Sequence, residues 1–461
     1  MPRWIPDGPE AEAALLRDAG FSDGEELFAD VPRRVRLGRM GIGPPHDELE
    51  VVQGIDKILG RNRPYTEFAT FLGGRISPRF VPAAVDAILL RSEFYSSYTP
   101  YQPEASQGML QALFEFQSLW VELTGLDAAN ASLYDGSTAA GEAMLLSRRI
   151  HEGGRFLVPA SLPWEEKSVL ANYATGSGAR IEEVPFDART GRLDLAALRE
   201  EIAKGGVFGA LVDVPNGFGH VDEGLLDVKT ALGTVPLVVV ADPLALSVLS
   251  PPGDWGADIV VGEGQGFGAS PSFGGPLLGL FACRREHLRF APGRIVGATR
   301  DAEGRRAFTL TLQTREQHIR RSRATSNICT NQSLLALAFL VYATSVGPRG
   351  LGELERKLSE RARTLAGALA GIDGLRAPRF DSPYLHEFTV EVSRGTATGF
   401  LDRLRRLKVL GGHPLADPRP GHSSSTGELV LTAATEFVGD REIAKYAKAA
   451  RAALARVPEA T

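Results

Sequence analysis

The sequence predicts an α/β protein with a large, mainly parallel sheet followed by a smaller C-terminal α/β domain. Three observations carry this. Five short β-type runs, "GRFLVP", "ARIEEVPF", "FGALVDVP", "PLVVVADP" and "ADIVVG", are each closed by Pro, Gly or Asp. Helix-type segments separate them, and strands alternating with helices imply parallel pairing with both faces covered. After residue 335 two helices, two further β-type runs and a last helix form a second, shorter α/β pattern.

Residues 1–75 read as short helices and connectors, with "HDELEVVQGIDKILG" the most helical piece. Residues 76–335 hold the large domain, entered by the amphipathic helix "QGMLQALFEFQSLWVELTG", which Gly125 ends. Residues 336–461 hold the small domain: helices over "QSLLALAFLVYATSVG" and "GLGELERKLSERARTLAGALAG", strands over "HEFTVEVS" and "GELVLTAA", and the final helix "DREIAKYAKAARAALARV". "GHSSSTGE" reads as an exposed loop.

At 461 residues the chain can bury a large core, and 43% hydrophobic with 23% charged residues is ordinary for a folded soluble protein. A formal net charge of -5 gives no reason to expect nucleic acid as partner. Cys283 and Cys329 have neither metal-ligand nor C-x-x-C spacing, so reduced thiols in the cytoplasm and no metal are expected. No stretch of about 18 uncharged apolar residues occurs, so no membrane span is expected. The N-terminal residues lack an apolar signal-type core.

Four stretches carry chemistry. In "LYDGSTAAGEAMLLSRR", Ser137 and Thr138 open a helix, where free N–H groups and the dipole suit a phosphate, although an ordinary cap uses the same residues. Asp242 stands at the carboxyl end of "PLVVVADP", the sheet edge where ligands sit; a plain turn aspartate before Pro243 is the alternative. Residues 257–276 run from a strand into a loop with six glycines and one charged side chain, Glu263. Phe267 stands where a third glycine of a dinucleotide-binding turn would be, and no helix formers follow, so that motif is rejected. In "LQTREQHIRRSRATSNICTNQ", Arg315, Arg320, Arg321 and Arg323 precede small polar residues, and a solvated basic face competes with an acidic partner.

The order of these signals is similar to that of fold-type I pyridoxal-phosphate enzymes, in which the aspartate faces the pyridine nitrogen and a lysine in the glycine-rich loop forms the Schiff base. Here no lysine occurs between Lys229 and Lys357. "RSEFYSSYTPYQPEASQGMLQALFEFQSLWVELTGLDAANASLYDGSTAAGEA", "GADIVVGEGQGFG", "SFGGPLLGLFACR", "PGRIVG" and the basic stretch together resemble the first (α) subunit of the split glycine cleavage P-protein, from about residue 20 onward.

The resemblance implies a lysine-bearing second (β) subunit that holds the pyridoxal phosphate covalently, with Gln265 roughly at the lysine's place and no catalytic residue of this chain bonded to the cofactor. It implies that Asp242, Ser137 and Thr138 are remnants of a cofactor site. Thr325, Ser326 and Asn327 would reach the partner's cofactor phosphate in trans, and Tyr95, Tyr98 and Tyr101 would lie near the subunit contact, where plain packing serves equally well. The implied activity is glycine decarboxylation with transfer of the aminomethyl group to the lipoyl arm of H-protein, in an α2β2 assembly. A divergent paralogue, acting as an independent lysine-less enzyme or as a structural partner, fits the same residues. The chain departs from the family pattern in "FLGGRISPRFVP", where Arg75, Ser77 and Arg79 appear, near Ala160, where a histidine is expected, and at Gly217 and Phe218.

Overall fold

The computed structural model describes residues 8–38, 41–417 and 428–455; most of the serine-rich stretch expected as a loop lies outside them. The chain forms two units, Met1–Arg63 and Pro64–Thr461. In the first, α1 (Pro9–Asp18) and α2 (Glu48–Leu59) bury no side chain within their unit. Asp47 caps α2 by accepting from the Glu50 amide at 2.8 Å. Its Leu49, Val51, Val52 and Ile55 are exposed.

The second unit is built on seven strands: β1 (Ala128–Ala129), β2 (Arg155–Pro159), β3 (Arg180–Val184), β4 (Val207–Val214), β5 (Leu237–Ala241), β6 (Ile259–Glu263) and β7 (Gly279–Cys283). They lie in the order β1-β7-β6-β5-β4-β2-β3, and only β7 runs against the rest. The five runs read from sequence are β2 to β6. β4, β5 and β6 are buried along their whole length, because apolar side chains on both faces meet covering helices. On one face α3 (Gln107–Thr124) inserts Phe116 and Trp120; on the other α4 (Gly136–Ile150) packs Met144 and Leu146, beside Leu170 of α5 (Trp164–Ser177).

Ser333–Ala370, α6, is broken at Gly347 (φ +73°) immediately before Pro348, which gives the two helices expected. It is the one described helix long and apolar enough by composition to cross a membrane, but its first half is core: Phe339 and Tyr342 lie against Phe267 with ring centroids 4.8 and 4.9 Å away.

The small sheet contains β8 (Leu375–Arg376), β9 (Glu387–Val392), β10 (His413–Pro414) and β11 (Leu429–Ala433), antiparallel in the order β8-β9-β11-β10. The second half of α6, α7 (Ala397–Arg406) and α8 (Asp440–Leu454) pack around it. Residues 69–71 return from far earlier in the chain to join this core. Ala69 and Thr70 pair in parallel with Val409 and Leu410, and the fully buried Phe71 ring lies 4.7 Å from that of Tyr446. The segment that follows, residues 73–80, is thereby anchored beside the large sheet. Phe71→Ala, which removes this anchor, should lower stability by about 3–5 kcal/mol, as for other buried Phe truncations; chemical denaturation of the full chain measures it, and a change under about 1 kcal/mol would show that the segment is held by other contacts.

Candidate active site

Three carboxylates stand at the carboxyl ends of three neighbouring parallel strands: Asp213 in β4, Asp242 directly after β5, and Glu263 at the end of β6. This is the edge where ligands sit in open α/β sheets. Each of the three is satisfied from within the chain.

Asp213 accepts from Arg75 Nη2 at 3.1 Å, and Arg75 Nε donates to Glu166 at 2.7 Å. Burial pushes the Asp213 carboxyl up to about 7 although Arg75 pulls it down. Asp242 accepts from the amides of Leu244 and Ala245 at 2.7 and 2.8 Å. Burial opposes its charge, but His386, Arg79 and these amides hold its carboxyl below the ordinary range. Arg79 is buried, donates to Ser77 Oγ at 3.2 Å, and places Nη2 3.0 Å from His386 Nε2. The other ring nitrogen of His386 lies 2.8 Å from Glu355, which also accepts from Ser359. Burial and the Arg79 guanidinium disfavour the imidazolium, yet Glu355, with Asp242 4.0 Å away, raises His386 to about 9.

Glu263, the lone charge of the glycine-rich loop, accepts from the amides of Gly136, Gln265 and Leu278, each at 2.9 Å. Burial pushes it to about 7. It therefore ties the loop to the start of α4. Asp135 takes the Thr138 amide at 2.8 Å and the Thr138 hydroxyl at 2.6 Å. The helix start read as a phosphate cradle is thus capped at Gly136 and Thr138 by the chain's own carboxylates. Gln265 is buried, accepts from the Ser77 amide at 3.1 Å and donates to the Ala269 carbonyl. The loop's glycines bring backbone against backbone: a Cβ at Gly262 would stand 2.4 Å from the Ala241 carbonyl oxygen.

These residues do not fit a covalently held pyridoxal phosphate on this chain. No lysine stands between Lys229 and Lys357, and so none in the loop after β6, the amide at Gln265 is engaged with Ser77 and Ala269, and Arg79 with His386 already counter-charges Asp242.

The remaining candidates lie elsewhere in the unit. Tyr95 and Tyr98 are 65% and 76% exposed, with Tyr98 Oη 3.5 Å from Thr330. Tyr101 accepts from buried Arg294 at 2.6 Å. Thr325 is half-buried and Asn327 exposed, while Ser326 accepts the Ile328 amide at 3.0 Å and faces the buried Glu142. Arg315, read as a group for a partner's carboxylate, instead donates to the carbonyls of Ala291, Gly293 and Leu312. Being partly buried, it is satisfied by backbone; Arg320 and Arg321 remain exposed. Glu263, His386, Glu355 and Glu166 were missed from sequence. Only Glu263, an isolated acid in an apolar and glycine-rich run, offered a signal.

Two of the positions that depart from the family pattern, Arg75 and Gly217, line one cavity. A cavity of about 440 Å³ is lined by Gly73, Arg75 and Ile76, by Pro163 to Glu166 just beyond Ala160, by Asn216 and Gly217, and by Glu387 and His413 of the small domain. At Gly217 a Cβ would stand 2.0 Å from the Ser161 carbonyl oxygen, so glycine lets these two edges meet.

The family model described as glycine cleavage system P-protein matches residues 2–398. The chain belongs to the glycine cleavage system P-protein family. A P-protein relative from Moorella thermoacetica, named "Probable glycine dehydrogenase (decarboxylating) subunit 1", is 43% identical over 401 residues, covering 86% of this chain and 88% of its own. One of the same name from Anaeromyxobacter dehalogenans is 42% identical over 453 residues, covering 97% and 100%. The crystal structure of an inhibitor-bound glycine decarboxylase (P-protein) superposes with a TM-score of 0.87 at 36% identity, over 98% of this chain and 100% of that one. A Lactobacillus brevis glutamate decarboxylase, at 13% identity and a TM-score of 0.67 over 94% of this chain and 98% of its own, shares the fold. The architecture is that of the fold-type I pyridoxal-phosphate enzymes.

The His386 pair sets a pH dependence. Its folded pKa, about 9, lies above the ordinary 6.5, so its contribution is complete below pH 6.5 and lost as pH rises through 9. Between pH 7.5 and 9 the chain should lose on the order of 1–2 kcal/mol of stability. Asp213 and Glu263 titrate below this window. Denaturation at both pH values, with His386→Gln flattening the difference, checks the assignment; an unchanged slope in the variant would refute it.

Proposed function

We propose that this chain is the α subunit of a glycine dehydrogenase (decarboxylating) of the glycine cleavage system, and that it is the non-covalent half of its enzyme. The observation that carries the reading is the P-protein family match over most of a chain that places Gln265, not lysine, in the loop after β6. A lysine-bearing β subunit would hold the pyridoxal phosphate, which serves as the electron sink when glycine loses its carboxylate as carbon dioxide. The aminomethyl group passes to the lipoyl arm of H-protein. An α2β2 assembly in the cytoplasm completes the proposal.

Several features support a second chain. The apolar face of α2 carries exposed Leu49, Val51, Val52 and Ile55. In the other unit Phe80, Leu90, Tyr95, Tyr98 and Phe273 are exposed as well. Large apolar side chains left open in this number suit burial against a partner. Thr325 and Asn327 lie just before α6 and close to the exposed Arg320 and Arg321, a polar and basic segment suited to the phosphate of a cofactor held by the neighbouring subunit.

Co-expression with a lysine-bearing homologue and a glycine–bicarbonate exchange assay tests the assignment: exchange should require both chains, and exchange by this chain alone would overturn it. Within the active complex, Thr325→Val with Asn327→Ala should weaken cofactor retention by roughly 10- to 1000-fold, since a hydrogen bond to a charged group contributes about 1.5–3 kcal/mol. Cofactor titration reads this, and sizing should show assembly intact. Unchanged retention would assign the segment to packing.

A further inference from the structure

The 440 Å³ cavity falls in the size range of small-molecule pockets, and its charges do not balance. Arg75 lines it and attracts Glu387, but two of its nitrogens already hydrogen-bond to Glu166 and Asp213. Glu387 also lines it and is only 7% exposed. One Glu387 oxygen accepts the Gly74 amide at 2.7 Å; the other has no hydrogen-bond partner among the described residues. Glu165 adds a second carboxylate at the wall. His413, also on the wall, supplies no fixed charge, because burial lowers its pKa although Glu387 opposes this. A buried carboxylate with an open oxygen is costly unless a donor or cation meets it. No group of three or more metal-type ligands occurs among the described residues, so the missing charge fits an organic cation better than a metal ion. Trp164, Ile76, Pro163, Pro414 and Leu431 make up the apolar part of the wall, to which Ser137 and Asn216 add neutral polar groups. An aromatic wall beside carboxylates suits an ammonium group carried on an apolar body.

We propose that this cavity binds a small organic molecule through a primary ammonium group, with Glu387 as its acceptor and its apolar body against Trp164, Ile76 and Leu431. This goes beyond the glycine dehydrogenase reading, since it concerns a ligand held by this chain's own residues and stands or falls without the β subunit.

Calorimetric titration of the full-length chain with 2-phenylethylamine, 2-phenylethanol and L-phenylalanine tests it. The amine should bind at one site per chain, about 10- to 100-fold more tightly than the uncharged alcohol of the same shape. Glu387→Gln should erase most of that difference, with folding checked by circular dichroism because Gly74 also uses this side chain. Ile76→Trp, which adds bulk at an exposed, uncharged wall residue, should abolish binding. L-phenylalanine binding more tightly than the amine would assign the remaining Arg75 N–H groups to a ligand carboxylate; weaker binding would assign the site to simple amines. Either result supports ammonium recognition. Equal affinity for amine and alcohol, the absence of saturable binding by both charged probes, or amine binding untouched by both substitutions would overturn it.

Discussion

Two arginines four residues apart, Arg75 and Arg79, neutralise the carboxylates that crowd the carboxyl edge of the sheet, and the rest of this edge depends on that neutralisation. Parallel strands bring Asp213 and Asp242 to one rim, where burial would otherwise force protons onto them. Arg75 meets Asp213 and Glu166; Arg79 meets His386 and stands beside Asp242. A buried charge left without its partner typically costs 3–5 kcal/mol, so the segment 73–80 has to be held in place. Phe71 holds it, by anchoring the preceding residues in the small-domain core.

The same logic explains the glycine-rich loop. In this loop Gln265 accepts the Ser77 amide, and Glu263 gathers three backbone amides from two elements. The edge is thus cross-linked by internal hydrogen bonds rather than arranged around a covalent cofactor. What stays open is displaced toward Glu387 and Trp164, in the cavity between the sheet edge and the small domain. The strands and their covering helices nonetheless keep the fold-type I frame.

Much of this was legible in the sequence, for identifiable reasons. β2, β4, β5 and β6 declared themselves because a fully buried strand is a continuous apolar run, whereas β3, largely uncovered, was marked by Pro185 closing it, and Gly347-Pro348 marked the break in α6. Asp242 and the Ser137-Thr138 helix start fell at the expected sheet edge because βα units place such turns there. Ser137 and Thr138 also showed their limit: the same residues serve a cap or a phosphate, and only the positions of Asp135 and Glu263 decide how the amides are used. The departures at Arg75, Arg79 and Gly217 were visible as departures, but nothing local says that an arginine at 75 meets an aspartate at 213. The His386–Glu355 pair was invisible for the same reason, since neither residue sits in a motif and their contact exists only after the small domain folds. Arg315 misled because a basic run does not reveal which of its members folds back onto carbonyls.

A double-mutant cycle on Arg75→Met and Asp213→Asn, read by chemical denaturation of the full chain, tests this charge neutralisation most directly. If the sheet edge is held by this contact, the two substitutions should couple by about 1–3 kcal/mol, with the double variant more stable than the sum of the single losses predicts. Effects that add to within about 0.5 kcal/mol would mean that Arg75 and Asp213 are satisfied independently, and would contradict the account.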